Sequence, residues 1–292
     1  MPDLLGDAIG RVVLGDNLPV LAGLPAASID LIYVDPPFNT GKRQVLPRLR
    51  TVRDADGDRV GFQGQRYRTI KLGRQSYLDV HDDYLAFLEE RLVECRRVLK
   101  QSGSLYLHVD YREAHYCKIL LDAIFGRDCF LNEIIWAYDY GARTRKRWPP
   151  KHDTILVFVK DPKDYVFNYD AIDRIPYMAP GLVGPDKAAR GKTPTDTWWH
   201  TIVPTSGKEK TGYPTQKPLG IVKRIVLASS QPDDLVLDCF AGSGTTGEAS
   251  LLTGRRFILI DDNPAALEVM ARRFARSSDI EWIGFDPTPF QD

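Results

Sequence analysis

The sequence predicts an α/β fold built on a largely parallel sheet and broken by one irregular insert. Three observations carry that prediction. Short apolar runs alternate with helix-spaced apolar patterns over most of the chain. A glycine-rich turn, Asp238 to Gly247, sits between a strand-like and a helix-like stretch. From Asp161 to Tyr213 the alternation fails, in a stretch too long for an ordinary connection. With 292 residues, one large domain or two smaller ones can bury a full core without staples. No repeat or low-complexity tract is present.

The elements follow in order. Ile29–Val34 is an apolar run stopped by Pro36-Pro37 and reads as a buried strand. Asp82 can cap a helix from Asp83 to about Leu99, with Leu85, Leu88, Leu92, Cys95 and Leu99 at three- and four-residue steps. Ser104–Val109 reads as a strand, Glu113–Ile124 as a helix, and Asn132–Ala137 and Thr154–Lys160 as strands. After the insert, a helix runs from about Leu219 to Ser229. Strand Leu235–Asp238, the glycine turn, a helix to about Leu252 and strand Phe257–Ile260 follow. Asn263 as cap and Pro264 at the first position open a last helix to about Arg276. This gives residues 1–160, an insert over 161–212, and residues 213–292 rejoining the first part in one domain.

Composition excludes several classes. Hydrophobic residues are 43% and charged residues 27%, as in globular chains rather than disordered ones. No apolar run approaches the ~20 residues that span a bilayer, so no membrane role is expected. The N-terminal stretch carries acids where a secretory signal carries Lys or Arg. Cys95, Cys117, Cys129 and Cys239 have neither metal-ligand nor redox spacing. The reading is a cytoplasmic protein with reduced thiols and no metal site.

The 39 basic and 39 acidic side chains balance overall but not locally. Residues 1–40 are net −4 and residues 229–292 net −6. Residues 41–75 are net +7, including Lys42 and Arg43, and residues 139–151 are net +4, through Arg143, Arg145, Lys146, Arg147 and Lys151. Such polarity gives one face suited to a polyanion; the plain alternative is a set of solvated loops.

Asp35-Pro36-Pro37-Phe38 directly follows a strand, where open α/β sheets place ligand sites. The prolines fix φ and remove two donors, leaving stiff backbone with carbonyl acceptors. Asp35 adds a charged acceptor and Phe38 an apolar face. Together they suit an amino group on a flat ring, such as a nucleobase swung out of its stack. A proline turn closing a strand, with Phe38 in the core, is the competing reading.

The second constellation is Asp238-Cys239-Phe240-Ala241-Gly242-Ser243-Gly244-Thr245-Thr246-Gly247, followed 14 residues after Gly247 by Asp261-Asp262. Glycines allow a tight turn and close ligand approach. An acid at the end of the next strand can accept ribose hydroxyls. The loop fits the loose dinucleotide pattern as well, which keeps a nicotinamide dehydrogenase as a rival. Only 31 residues follow Asp261, too few for the rest of a dinucleotide sheet.

Together these motifs resemble the S-adenosylmethionine-dependent amino-methyltransferases of DNA. Asp35-Pro36-Pro37-Phe38 is similar to their catalytic motif and Phe240–Gly244 to their cofactor loop. The order, catalytic motif first, then insert, then cofactor loop, resembles their beta group. Leu14–Leu18, Ser104–Val109, Asn132–Trp136 and Tyr213-Pro214-Thr215-Gln216-Lys217-Pro218 resemble further family segments, with Tyr213 where His is usual. The resemblance covers nearly the whole chain outside 41–75 and 161–212.

The resemblance implies a circularly permuted Rossmann-like methyltransferase sheet with a target-recognition insert. Arg11–Leu14 and Ile29–Val34 should then lie beside Leu235–Asp238 and Phe257–Ile260. It implies S-adenosyl-L-methionine as cofactor. Asp238, Phe240, Ala241, Gly242 and Gly244 would hold its methionine part, Asp261 the ribose and Asp16 the adenine, with Thr245 and Thr246 also among the cofactor-binding residues. Lys217 would face its carboxylate, unless it is simply a solvated lysine at a helix start. Double-stranded DNA is the implied partner, contacted by Lys42, Arg43, Arg143, Arg145, Lys146 and Arg147; a homodimer and a cognate restriction endonuclease are further partners known in the family. Asp35 favours adenine N6 over cytosine N4 as the target, and motif order and insert size favour DNA over RNA or protein glutamine. A DNA-binding module with a dead methyltransferase fold is the non-enzymatic alternative; intact Asp35 and glycine loop count against it. Trp198-Trp199 would pack the insert or wedge into the duplex.

Overall fold

The computed structural model describes residues 3–37, 42–53, 59–60, 66–79, 84–141, 143–204, 207 and 209–291; between 42 and 79 the description is of backbone alone. The elements in chain order are β1 (Gly10–Leu14), α1 (Asn17–Gly23), β2 (Ile29–Val34), β3 (Lys42–Arg53), β4 (Arg59–Val60), β5 (Arg66–Asp79), α2 (Tyr84–Val98), β6 (Leu99–Asp110), α3 (Ala114–Phe125), β7 (Phe130–Ala137), β8 (His152–Val159), α4 (Pro185–Arg190), β9 (Thr197–Trp199), α5 (Leu219–Ser229), β10 (Leu235–Asp238), α6 (Thr245–Leu252), β11 (Arg256–Asp261), α7 (Pro264–Arg273) and β12 (Ile280–Ile283).

The main sheet has the order β12-β1-β11-β10-β2-β6-β8-β7-β9. Strands β12 to β6 pair in parallel, while β8 runs antiparallel to both β6 and β7. As the resemblance implied, β1 lies beside β11 and β2 beside β10. The N-terminal strands thus complete a sheet whose strands β10 and β11 come from the other end of the sequence.

Period-two alternation sorts the core onto the two faces of the sheet. On β2, Ile32 and Val34 join the cluster that holds Leu88, Leu92 and Leu121 of α2 and α3. Leu31 and Tyr33 face the other way, clustering with Ile221, Val222, Ile225 and Val226 of α5. At the far edge, Val12, Phe257 and Leu259 pack on Leu267 and Met270 of α7. Arg11 is buried at 1% exposure because its Nε reaches Glu281 Oε2 across the β1–β12 pair at 2.9 Å.

Three readings differ from the sequence expectation. The basic stretch 41–75, expected as loop, forms two long antiparallel strands, β3 and β5. Charged residues alternate there with Leu, Val, Thr, Tyr and Ile, which is strand periodicity. β12 has no counterpart in the sequence reading, and α7 closes at Arg273, one turn early. The residues Asp82 and Asp83, expected to start α2, lie outside the described set.

The insert is irregular but fastened. β9 adds to β7, and the Asn168 amide donates to the carbonyls of Leu227 and Ser230. Arg224 of α5 makes two hydrogen bonds to Asp173, at 2.7 and 2.6 Å, and lies 4.8 Å from the Trp198 ring centre. Trp198 is core, donating its indole N–H to Thr195 O, whereas Trp199 is 79% exposed. No described helix is long and apolar enough to cross a membrane.

Candidate active site

Since β2 and β10 are parallel neighbours, with Leu31 opposite Val236 and Ile32 opposite Leu237, the chain leaves both strands at the same edge. Asp35-Pro36-Pro37 and the loop after Asp238 therefore meet. Both line one cavity of about 390 Å³, together with Asp16, Asn17, Tyr33, Phe87, Arg91, Tyr213, Lys217 and Asp261. That is the crevice in which open α/β sheets bind ligands.

The loop is shaped by its own carboxylates. Asp238 accepts from Phe240 N–H at 3.0 Å through one oxygen and from the Thr246 hydroxyl at 2.6 Å through the other. Asp261 accepts from Gly242 N–H at 2.7 Å and Asn263 N–H at 2.9 Å. Gly242 and Gly244 have φ of 51° and 74°, the left-handed region that suits glycine. Gly244 turns toward α7, where an added Cβ would come within 2.7 Å of Met270 Cγ. Thr245 shares its hydroxyl with Ser243 and Arg273 and donates to Lys217 O.

These carboxylates are electrostatically loaded. Burial pushes Asp238 up to about 7, against its two hydrogen bonds, with Asp35 and Asp261 adding repulsion. Burial likewise lifts Asp261 to about 6, with a contribution from Asp262.

At the adenine side expected from the sequence, Asp16 lines the cavity but is already engaged. Its Oδ1 accepts from Leu18 N–H and pairs with Arg91 Nη2 at 3.0 Å, capping α1. Asn17, whose amide donates to Cys239 O at 2.7 Å and accepts from Arg91 Nε at 2.6 Å, ties this corner to the glycine loop. Arg91 also lies 3.8 Å above the Phe87 ring centre, and Phe87 meets Phe240 at 6.0 Å.

Lys217 is not solvated. Its Nζ lies 2.6 Å from Asp35 Oδ2, with side chains 8% and 16% exposed. Asp35 Oδ1 is buried with no hydrogen-bond partner among the described residues. Lys217, Tyr213 and Thr215 line a second, adjoining cavity of about 530 Å³ as well, with Tyr111, Trp136, Tyr138 and Asp153. A buried chain links the two spaces. Tyr33 Oη lies 2.8 Å from His108 Nδ1, His108 Nε2 lies 3.2 Å from Asp153 Oδ2, and the Tyr138 hydroxyl donates to Asp153 Oδ1. Burial opposes the charge on Asp153, but His108, then Lys217 and the Tyr138 hydroxyl, outweigh it and hold its carboxyl below the usual range.

Residues 29–272 match the family described as DNA methylase, of the N6/N4 type. The DNA adenine methyltransferase YhdJ of Escherichia coli K12 is 32% identical over 285 residues, covering 93% of this chain and 85% of that protein. The type II methyltransferase M.HpaI of Haemophilus parainfluenzae is 33% identical over 276 residues, covering 94% and 76%. The chain belongs to the N6-adenine/N4-cytosine DNA methyltransferase family. Among solved structures, the cytosine-N4-specific PvuII DNA methyltransferase superposes with a TM-score of 0.64 at 18% identity, covering 98% of this chain and 91% of its own. The M1.HpyAVI–SAM complex does so with 0.58 at 20%, covering 91% and 98%. Both share the fold.

For a DNA methyltransferase of this family, the motif residues fall as follows. Asp35, Pro36 and Pro37 line the first cavity with Asp16, Asp238, Phe240, Ala241, Gly242, Thr245, Thr246, Asp261 and Lys217. Phe38 lies outside the described residues, as do the side chains of Lys42 and Arg43 on β3. Arg143, Arg145, Lys146 and Arg147 are exposed on the 139–151 loop, whose ends, Tyr140, Gly141 and Pro150, border the second cavity. Sequence reasoning missed Asn17, Tyr33, Phe87 and Arg91. Asn17 sits inside the quoted Leu14–Leu18 segment and could have been found there; Arg91 lies on a helix face that looks merely amphipathic.

Proposed function

We propose that the protein transfers a methyl group from S-adenosyl-L-methionine to adenine N6 in a base extruded from double-stranded DNA. The observation that carries this reading is the common cavity of Asp35-Pro36-Pro37 and the glycine loop. The cofactor fits this chain's residues: a pocket of about 390 Å³ lies in the usual range for small ligands. It also combines carboxylates, an aromatic pair and a close-approach glycine turn. When bound, the cofactor supplies a methyl already activated on a sulfonium, so the protein need only position and stabilise.

Asp238 and Asp261 offer their remaining lone pairs to the cofactor's ammonium and ribose. Phe87 and Phe240 supply apolar contact, and Asp16 lies at the adenine side. Asp35 Oδ1 accepts one N–H of the target amine and the Pro36 carbonyl the other. This favours a pyramidal nitrogen with its lone pair aimed at the methyl, and stabilises the positive charge that develops there. Flipping costs a few kcal/mol, offset by stacking and phosphate contacts. The exposed cations of residues 143–147 lie on the loop that borders the second cavity, which supports their contact with the phosphates.

Adenine is favoured by Asp35 at the first motif position and by the name of the E. coli relative. Labelled-methyl transfer to unmethylated genomic DNA, followed by nucleoside analysis, tests the reading. N6-methyladenine is expected. N4-methylcytosine overturns the base assignment, and no transfer overturns the activity.

A further inference from the structure

Lys217 and Asp35 join two motif segments across the cavity. We propose that Lys217 is a positioning residue for methyl transfer: its ammonium anchors one oxygen of Asp35 so that the other is presented to the target amine. This rests on the amino-methyltransferase reading above.

The terminal torsion of an aspartate is broad and roughly two-fold, so an unanchored carboxylate does not aim either oxygen. Here the Lys217 ammonium holds Oδ2 at 2.6 Å, and Oδ1 is left buried without a partner among the described residues. A carboxylate in that state is an acceptor waiting for a donor, since a buried unmade hydrogen bond is costly.

The anchor is itself braced from both sides. Lys217 O accepts from the Thr245 hydroxyl at 3.3 Å, fixing it to the glycine loop. Ahead of it, Gln216 accepts from Thr211 N–H and donates to Glu209 O. Behind it, Pro218 caps α5, and Leu219 N–H donates to the Glu209 carboxylate. Lys217 also borders both cavities, so its charge stands at the wall between the cofactor space and the outer space. A solvated lysine or one serving a cofactor carboxylate alone needs no such contact with Asp35.

The test uses the full chain as wild type, Lys217→Met and Lys217→Arg. Unmethylated genomic DNA and S-adenosyl-L-methionine are the substrates, and kcat, both KM values, cofactor Kd and Tm are measured. Misplacing a reacting group by an ångström costs about 100-fold. The expected result is therefore a kcat for Lys217→Met about 10- to 100-fold below wild type at saturation, with cofactor Kd changed less than about fivefold and partial recovery in Lys217→Arg. A kcat unchanged at saturation, with loss confined to cofactor KM, overturns the inference and leaves Lys217 a cofactor ligand. Should Lys217→Met not fold, Lys217→Gln, which removes the charge but stays polar, decides in its place: a lowered kcat at unchanged cofactor Kd supports the role, and an unchanged kcat removes it. Failure of the underlying reading is distinct, because the wild type would then transfer no methyl at all.

Discussion

Cofactor affinity should tighten as pH rises from 6 to 7.5. Burial holds Asp238 at about 7 and Asp261 at about 6, so at pH 6 Asp238 is mostly protonated and Asp261 is half protonated. A cationic ammonium and donating hydroxyls both prefer the ionised carboxylates, so binding must release protons. Ionised Asp238 rises about eightfold across this interval and ionised Asp261 about twofold, which gives a fall in Kd of about 15-fold if both must be charged. Stopping at pH 7.5 keeps an α-amino group such as the cofactor's own mostly protonated. For the ligand-free protein the sign is the reverse. Both carboxyls bind protons more tightly folded than unfolded, so their contribution to stability declines as pH climbs from about 4 toward about 7. Calorimetric titration in two buffers of different ionisation enthalpy measures Kd and proton release together. A Kd constant within twofold from pH 6 to 7.5, or one that weakens, refutes the assignment of these carboxylates to the cofactor.

Further outcomes follow from the same geometry. Asp35→Asn, which keeps the side-chain shape, should abolish methyl transfer while cofactor Kd stays within a few-fold; equal loss of both would make Asp35 purely structural. DNA binding should fall with log salt at a slope near −5 if about six phosphates are contacted, and a slope near zero in filter binding would remove the basic segments from the interface. Gly244→Val should weaken cofactor binding and lower Tm, because φ is 74° and the new Cβ would meet Met270 Cγ at 2.7 Å; unchanged binding and Tm would contradict this. Arg224→Met should loosen the insert at a cost of about 1–2 kcal/mol, kept low because Asp173 is half exposed, read by urea denaturation and faster proteolysis within 161–212.

The parallel core was legible because its signals are local. Asn263 and Pro264 open α7 where expected, and α5 and β10 have the expected bounds. The Trp198-Trp199 pair could not be divided from sequence, because adjacent residues on a strand face opposite ways and only the pairing of β9 with β7 decides which is inside. β12 escaped because Ile-Glu-Trp-Ile is short and none of its residues is fully buried. The β3–β5 pair is hard to read from sequence because its dense basic charge, typical of a solvated loop, overlies the strand alternation. The motifs of the site were legible, but the contact between Lys217 and Asp35 was not. No local pattern records which side chains meet when segments about 180 positions apart close on one cavity.

The site's carboxylates divide their work in a way the sequence motifs conceal. Asp238 and Asp261 each spend both oxygens on donors inside or beside the glycine loop. Their hydrogen bonds hold the turn open, and a cofactor must use lone pairs left over. Asp35 differs: one oxygen meets a cation and the other meets nothing among the described residues. Loop acids that are satisfied before any ligand arrives set the shape of the site, while the acid left half-satisfied is where a substrate can add binding that the protein alone does not make. Such a residue lends its interaction to the reaction rather than to the fold. Replacing Asp238 should therefore harm Tm and cofactor affinity together, whereas replacing Asp35 should harm the rate. That split distinguishes a carboxylate that builds the site from one that acts in it.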